Sequence, residues 1–437
     1  MDIYVVQQGD SIMSIAESFG VPASRLILDN GIENPFGLVT GQAIVIVYPE
    51  QTHIVQEGDT LAGIADTYGV GIMQLLRNNS FLSDREYLYP GETLVIRYDT
   101  DRYLTTNGFV YPYINRKTLL KTLPYLTYIS VFNYGITAAG GVITYYDTSD
   151  TVPLAKSYGV VPLLMMSALS PTGEPNVEVV YDILLSEENQ DNLLNNVLDV
   201  LKSEEYYGVN VILSQINRTN QSLYINYLRK SSERLHEEGY LLFVTINPET
   251  GYTDSQVTFE RLDYTSISQL VDDITFLQYT WGTNLGPPAP VSNITLLNSF
   301  LDYVVSMVSP ELLSLGKPLF GYLWELPYVP DRSVAYSLTL NSVISLANDV
   351  GAVIQFDEVS QTPFLQYVSY KFGTPVNYII WSIDARSIDA LNKSINKYGL
   401  AGNGVWNIMI YYQQLWTLIN SQYEIVKILP DSFKNIT

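Results

Sequence analysis

Apolar residues recur at helical spacing twice near the N-terminus, as Ile12, Ile15, Ala16, Phe19 and again as Leu61, Ile64, Ala65, Tyr68. Each run follows a short strand, Tyr4–Val6 or His53–Val55, and a Gly-Asp turn. Ser11 or Thr60 stands where a helix N-cap belongs, and Gly20 or Gly69 where a C-cap glycine belongs. A second short helix carries Leu26 and Ile27, or Leu75 and Leu76, and ends near Asn30 or Asn79. The runs "QAIVIV" and "ETLVIR" then read as closing strands. The pattern is one small βααβ unit used twice, over residues 1–49 and 50–99.

From residue 100 to 437 the period changes, and short apolar runs alternate with helical segments. Strands are predicted at Gly108–Tyr111, Tyr128–Phe132, Val160–Met166, Val209–Leu213, Leu241–Ile246, Ile274–Tyr279, Pro318–Tyr322 and Gly404–Ile408. Eight such β units with helices between them predict an α/β fold, a parallel (β/α)8 barrel. One intervening helix is explicit in "SEENQDNLLNNVLDVLKSEE", with a Ser cap, acids in its first turn, and Leu193, Leu194, Val197, Leu198 and Leu201 on one face. The stretch at about 333–382 is too long for one helix and predicts a small α+β insertion. Barrel sites lie at the C-terminal strand ends. Those ends carry Tyr113, Asn133, Tyr134, Ser167, Ser214, Asn247, Tyr279, Trp281, Trp324 and Trp406. A Trp/Tyr rim with polar groups between suits a carbohydrate cleft.

Composition narrows the chemistry. There is no cysteine and there are two histidines, so disulfides, thiolate metal sites, cysteine nucleophiles and a histidine-rich metal centre are excluded. No cofactor or metal is expected. A net charge of −22 disfavours nucleic acid as a partner. No apolar run reaches the roughly 18–20 residues of a membrane span. "MDIYVVQQGD" has neither a basic segment nor an apolar core, so no secretory signal peptide is expected. Thirty-five tyrosines suit sugar and protein contacts as well as core packing.

The paired segments "YVVQQGDSIMSIAESFGV" and "HIVQEGDTLAGIADTYGV" resemble tandem LysM modules. The Gly-Asp-Ser/Thr turn, the Asn after the second helix, and Pro90-Gly91 before the last strand carry the likeness; the first copy has Thr40 where proline is usual. The resemblance implies binding of glycans containing N-acetylglucosamine, such as peptidoglycan and chitin. It places the sugar against Gly9, Asp10, Ser11, Ile12 and Asn30, and against Gly58, Asp59, Thr60, Leu61 and Asn79. Two weak sites on one chain raise avidity for a polymer.

The remainder resembles the bacterial spore branch of family 18 glycoside hydrolases, the cortex-lytic N-acetylglucosaminidases. "GFVYPYINRKTLLKTLPYLTYISVFNYGI", "LQYTWGTNLGPPAPVS", "KPLFGYLWELPY", "FDEVSQTPF" and "YGLAGNGVW" carry that likeness. The family's fourth strand reads D-x-x-D-x-D-x-E. Its Glu protonates the glycosidic oxygen, and its last Asp supports the substrate's own acetamido group. Here the frame reads Tyr207, Asn210, Ile212, Ser214, and no Asp or Glu occurs between Glu205 and Glu233. Serine supplies no proton near neutral pH, and isoleucine orients no acetamide. On the sixth strand the family's M-T-Y-E-W reads Leu277, Gln278, Tyr279, Thr280, Trp281, again without the acid. Glu325, Asp357, Glu358 and Asp384 are the remaining acids weighed, the last with Arg386 as a capping or pairing group.

The expectation is therefore a glycan-binding spore protein with an inactive barrel. It would be made in the mother cell and placed on coat or cortex, with peptidoglycan and other spore coat proteins as partners. An active cortex-lytic enzyme with a relocated acid and a structural coat protein are the alternatives.

Overall fold

A computed structural model of the chain describes residues 1–430 except 84, 86, 101, 169–175, 214, 249, 254–255 and 278–283. Both N-terminal units fold as βααβ. Asp2–Val5 pairs antiparallel with Ala43–Ile46, and Gln51–Ile54 with Thr93–Arg97. Ser11 caps helix Ile12–Phe19, accepting from Ser14 N while the Ser14 hydroxyl accepts from Ser11 N. Thr60 caps Leu61–Tyr68 by accepting from Gly63 N. Gly20 ends the first of these helices with φ of 66°, a left-handed turn that glycine makes without strain.

Eight parallel strands close the barrel: Tyr103–Val110, Tyr128–Ile136, Val161–Ser167, Gly208–Ile212, Leu241–Ile246, Asp273–Phe276, Leu313–Pro318 and Gly402–Trp406. Each bonds to the next, and the eighth returns to the first. The seventh lies earlier than the predicted Pro318–Tyr322. "LLSLGKPLFGYLWEL" is nearly continuously apolar, so its period does not reveal that it holds two strands. The second of them, Gly321–Leu326, belongs to a five-stranded antiparallel sheet. That sheet continues through Tyr336–Leu338, Gln355–Asp357, Thr362–Lys371 and Thr374–Trp381, with helix Leu340–Asp349 beside it. The inserted element thus starts at Gly321, ahead of the predicted 333.

The barrel interior is layered. Val161, Leu163 and Phe243 pack with Leu429 at the lower end. Above them, buried Asn210 donates to the Ser130 hydroxyl (3.0 Å) and accepts from the Thr245 hydroxyl (2.8 Å). At the mouth Phe109, Met165 and Leu277 pack with Phe132, Ile212 and Trp406.

The C-terminal helix Gln413–Gln422 fixes both N-terminal units to the barrel. Gln414 donates to Ala43 O (2.8 Å) and Asn30 Oδ1 (2.9 Å), and Thr417 donates to Asp29 O (2.7 Å). Asn420 donates to Asn78 (2.6 Å), and the Arg77 guanidinium donates to Asn420 (3.0 Å) and Glu424 (2.6 Å). Among the described residues, no helix is long and apolar enough to cross a membrane.

Candidate functional site: the barrel mouth and the module turns

The mouth carries a connected set of rings. Trp406, the last residue of strand eight, lies 5.8 Å from Phe109 and 6.4 Å from Tyr111. Tyr111 stacks on Tyr113 at 5.4 Å and meets Phe132 edge-on at 5.1 Å. Tyr113, 59% exposed, meets Tyr146 at 5.3 Å. Buried Asn133 holds Tyr146 in place: its amide accepts from Tyr146 N (2.8 Å) and donates to Tyr146 O (2.6 Å). Burial raises the Tyr111 hydroxyl, so it stays protonated as a donor. Tyr111 and Tyr146 are absent from the sequence-derived rim. Tyr111 and Tyr113 flank Pro112 in the turn that follows strand one, and that Tyr-Pro-Tyr turn is the signal that finds the first. Tyr146 follows the short strand Val142–Thr144 that pairs back on strand two, which the sequence does not announce.

Two rim expectations are corrected. Tyr134 is 2% exposed; its hydroxyl donates to Glu204 (2.6 Å) and lies 3.1 Å from the Tyr206 hydroxyl. The irregular register between Phe132 and Tyr134 turns Phe132 to the mouth and Tyr134 to the helix layer. Trp324 is 1% exposed within the inserted sheet, its indole N–H donating to Gly286 O (2.9 Å). It sits there because Gly321–Leu326 is no barrel strand. Asn247 is exposed beyond strand five. Ser214, Tyr279, Trp281 and the side chain of Ser167 lie outside the described residues.

Ile212, partly buried, packs against the apolar cluster of Phe109, Met165 and Leu277, as do Phe132 and Trp406. The acids weighed from sequence are engaged elsewhere. Glu325 pairs with Lys371 (3.1 Å) on the inserted sheet. Asp357 accepts from Ser360 N (2.8 Å), and Glu358 accepts from the Gln361 amide (3.0 Å). Asp384 caps helix Ala385–Tyr398 and pairs with Arg386 (2.6 Å). Among the described residues, no group of His, Cys, Asp and Glu could hold a metal ion.

In the N-terminal units, the turn residues Gly9–Ser11 and Gly58–Thr60 lie at the surface of each unit. Asp10 accepts from Tyr4 Oη (2.7 Å) and Gln7 N (2.7 Å), bonds that hold its carboxyl below the ordinary value. Asp59 is lowered likewise by Gln56 N and His53. Ile12 and Leu61 are buried, so only their backbone can face a ligand. Asn30 and Asn79 do not hold the expected place on a sugar face. Each is buried and ties the second helix to the last strand: Asn79 donates to Leu75 O and Val95 O and accepts from Val95 N. Asn30 does the same with Leu26 and Val45.

The chain is thus a parallel barrel with an antiparallel sheet inserted before its last strand and rings around its mouth. The model of glycosyl hydrolases family 18 matches residues 170–409, and the chain belongs to that family; the LysM domain model matches residues 4–47 and 53–97. The chain is similar to a cortical fragment-lytic enzyme of Bacillus subtilis, 29% identical over 98% of this chain and 99% of the relative. It is 26% identical to the putative sporulation-specific glycosylase YdhD of the same organism, over 94% of this chain and 96% of the relative. The crystal structure of the Bacillus cereus spore cortex-lytic enzyme SleL matches with a TM-score of 0.78 at 27% identity, covering 98% of this chain and 99% of that one. A Chromobacterium violaceum chitinase, 18% identical with a TM-score of 0.65 over 73% of this chain and 98% of that one, shares the fold.

Proposed function

We propose that this chain is a spore protein that binds peptidoglycan or another N-acetylglucosamine polymer and does not cleave it by the mechanism of its family. The observation that carries the reading is Ile212, an apolar side chain packed against Phe109, Met165 and Leu277 where the family's frame has an acid. A glycosidic oxygen is a poor leaving group, and a general acid contributes roughly 10²–10⁴-fold. Two LysM modules and an aromatic mouth support retained glycan affinity. Similarity to a sporulation-specific glycosylase and to a spore cortex-lytic enzyme supports spore placement.

The names of those relatives also favour a second reading, a slow lytic enzyme with its acid elsewhere. One experiment separates the two. The purified chain is incubated with spore-cortex muropeptides and with intact peptidoglycan. Co-sedimentation with the polymer and no new reducing ends by mass spectrometry is the expected result. Sustained release of N-acetylglucosamine-ended fragments by the wild-type chain would overturn it.

A further inference from the structure

The two N-terminal units repeat one brace with one exchange of chemistry. In the first, Tyr4 Oη donates to Asp10 (2.7 Å), which also accepts from Gln7 N (2.7 Å), and the Tyr4 ring meets Phe19 edge-on at 5.6 Å. In the second, His53 Nε2 stands 2.8 Å from Asp59, which accepts from Gln56 N (2.7 Å), and the imidazole meets Tyr68 edge-on at 5.6 Å. The interplanar angles are 69° and 70°, so the imidazole takes the place of the phenol. The exchange adds a bond between His53 Nδ1 and Tyr68 Oη (3.0 Å), which Phe19 has no hydroxyl to make. Each brace ties the first strand of its unit to the Gly-Asp turn that precedes the helix cap.

The exchange changes what pH can do. A phenol is neutral between pH 5 and 8, whereas an imidazole changes charge there. The bond to Asp10 raises the Tyr4 hydroxyl further. Asp10 is held below the ordinary carboxylate value by Tyr4 and Gln7 N, and Asp59 by Gln56 N and His53, so both acids stay ionised in that range. An ionised Asp59 only accepts, so neutral His53 donates from Nε2 and accepts from Tyr68 at Nδ1. The imidazolium donates from both nitrogens, and its bond to Asp59 becomes charge-assisted on both sides. The turn brings Asp59 and the exposed Glu57 to this ring; helix Leu61–Tyr68 brings Tyr68 and the exposed Asp66. Strand Thr93–Arg97 brings one cation, Arg97, whose guanidinium donates to Tyr68 O (2.9 Å). Asp59 is the ion in contact with the imidazole.

We propose that His53 is a pH-sensitive positioning residue: its protonation tightens the second module's Gly-Asp turn, while the first module's turn, braced by Tyr4, does not respond. The closed turn holds the imidazolium against Asp59, so the closed state gains where the ring is protonated and loses that gain as pH rises through its titration. A half-exposed ion pair shifts such an opening equilibrium by about two- to fivefold. The consequence for a ligand rests on the reading that these turns meet a glycan. The second module then holds its glycan more firmly in mild acid than in mild base, and the first supplies a constant grip.

The test measures amide exchange of Gln56 and Gln7 by NMR on the full chain, without ligand, at pH 5 and pH 8. Both amides belong to glutamine after valine, so their ratio cancels the intrinsic pH dependence of exchange. Expected is a protection ratio, Gln56 over Gln7, about two- to fivefold higher at pH 5 than at pH 8. His53→Tyr, which copies the first module, and His53→Gln, which keeps a neutral donor, should each flatten it. His53→Gln decides the matter should the tyrosine variant fold poorly. A ratio that stays constant in wild type, or moves as much in the variants, overturns the proposal. Co-sedimentation with peptidoglycan at both pH values then reads the consequence: the gain in affinity from pH 8 to pH 5 should be larger in wild type than in His53→Gln, and equal gains overturn the link from brace to glycan. If wild type binds no polymer at either pH, the polymer reading falls, while the exchange ratio still decides the brace.

Discussion

At the first residue of its sixth strand the barrel buries Asp273, whose oxygens accept hydroxyl bonds from Thr275 (2.6 Å) and Ser314 (2.6 Å). At its mouth, on strand four, it places Ile212 among Phe132, Met165 and Leu277. The lower end keeps a buried carboxyl, and strand four brings Ile212 to a mouth lined by rings. Acid chemistry therefore depends on where a carboxyl can be solvated, partnered and aligned with a bond, and its presence inside the barrel counts for nothing. Asp273 is raised by burial to about 6, against hydroxyl bonds that pull it down. It is a structural acid in a sealed layer.

The sharpest way to break this contrast is to return the acids to the mouth. On the proposed reading, Ile212→Asp with Ser214→Glu should make the chain release N-acetylglucosamine-ended fragments, a gain of at least 10²–10⁴-fold over the uncatalysed background. Reducing-end release from cortex muropeptides measures it. Continued silence, with normal folding, would mean that the aromatic mouth is not shaped around a scissile bond.

Next in size is a cation. Lys317 on strand seven is fully buried, its Nζ has no partner among the described residues, and burial lowers it to about 7 from 10.5. A depressed lysine binds fewer protons in the folded chain than in the unfolded one. Stability therefore rises as pH goes from about 7 to about 10.5 and is flat below 7. Lys317→Met should remove that rise and stabilise the fold near neutral pH by about 2–4 kcal/mol. Calorimetric melting across that range checks both.

Asp273 predicts the opposite slope in a lower window. Its folded value of about 6 lies above the ordinary 3.8, so the folded state holds the proton more tightly. Stability is greatest below 3.8 and falls as pH rises toward 6, by about 1–3 kcal/mol in all. Asp273→Asn should flatten that limb and leave the Lys317 limb in place. If the two limbs move together, the two buried charges are not independent.

Much of this architecture is legible in the chain itself. The repeated Gly-Asp-Ser/Thr turns fix the caps at Ser11 and Thr60, because turn and cap chemistry is local. The helix at Glu187–Ser203 follows from its Ser186 cap and its apolar face. The loss of acids on strand four is equally plain, since it needs only the frame from Tyr207 to Ser214. What escapes is tertiary. A buried asparagine such as Asn79 reads like a ligand contact until its bonds to Leu75 and Val95 are seen. Trp324 reads as rim because one apolar run hides the step from barrel strand to inserted strand. Val39 and Gly41 carry no signal that they will enter another domain's core, because that depends on a surface some 300 residues away in the chain.

The smallest effect tests whether the mouth's rings still serve a sugar. Tyr113 is the most exposed of the stacked pair, so its removal costs little packing. A ring lost from a partly solvated stack is worth roughly 0.5–1.5 kcal/mol, about two- to tenfold in affinity. Tyr113→Ala should weaken binding of N-acetylchitotetraose by that factor with melting unchanged, and Tyr113→Phe should retain most of it, since the ring face carries the contact. Equal affinity in all three chains would place the glycan wholly on the modules. The rings would then be packing left over from an enzyme's barrel, and the contrast between the two ends would reduce to one of burial.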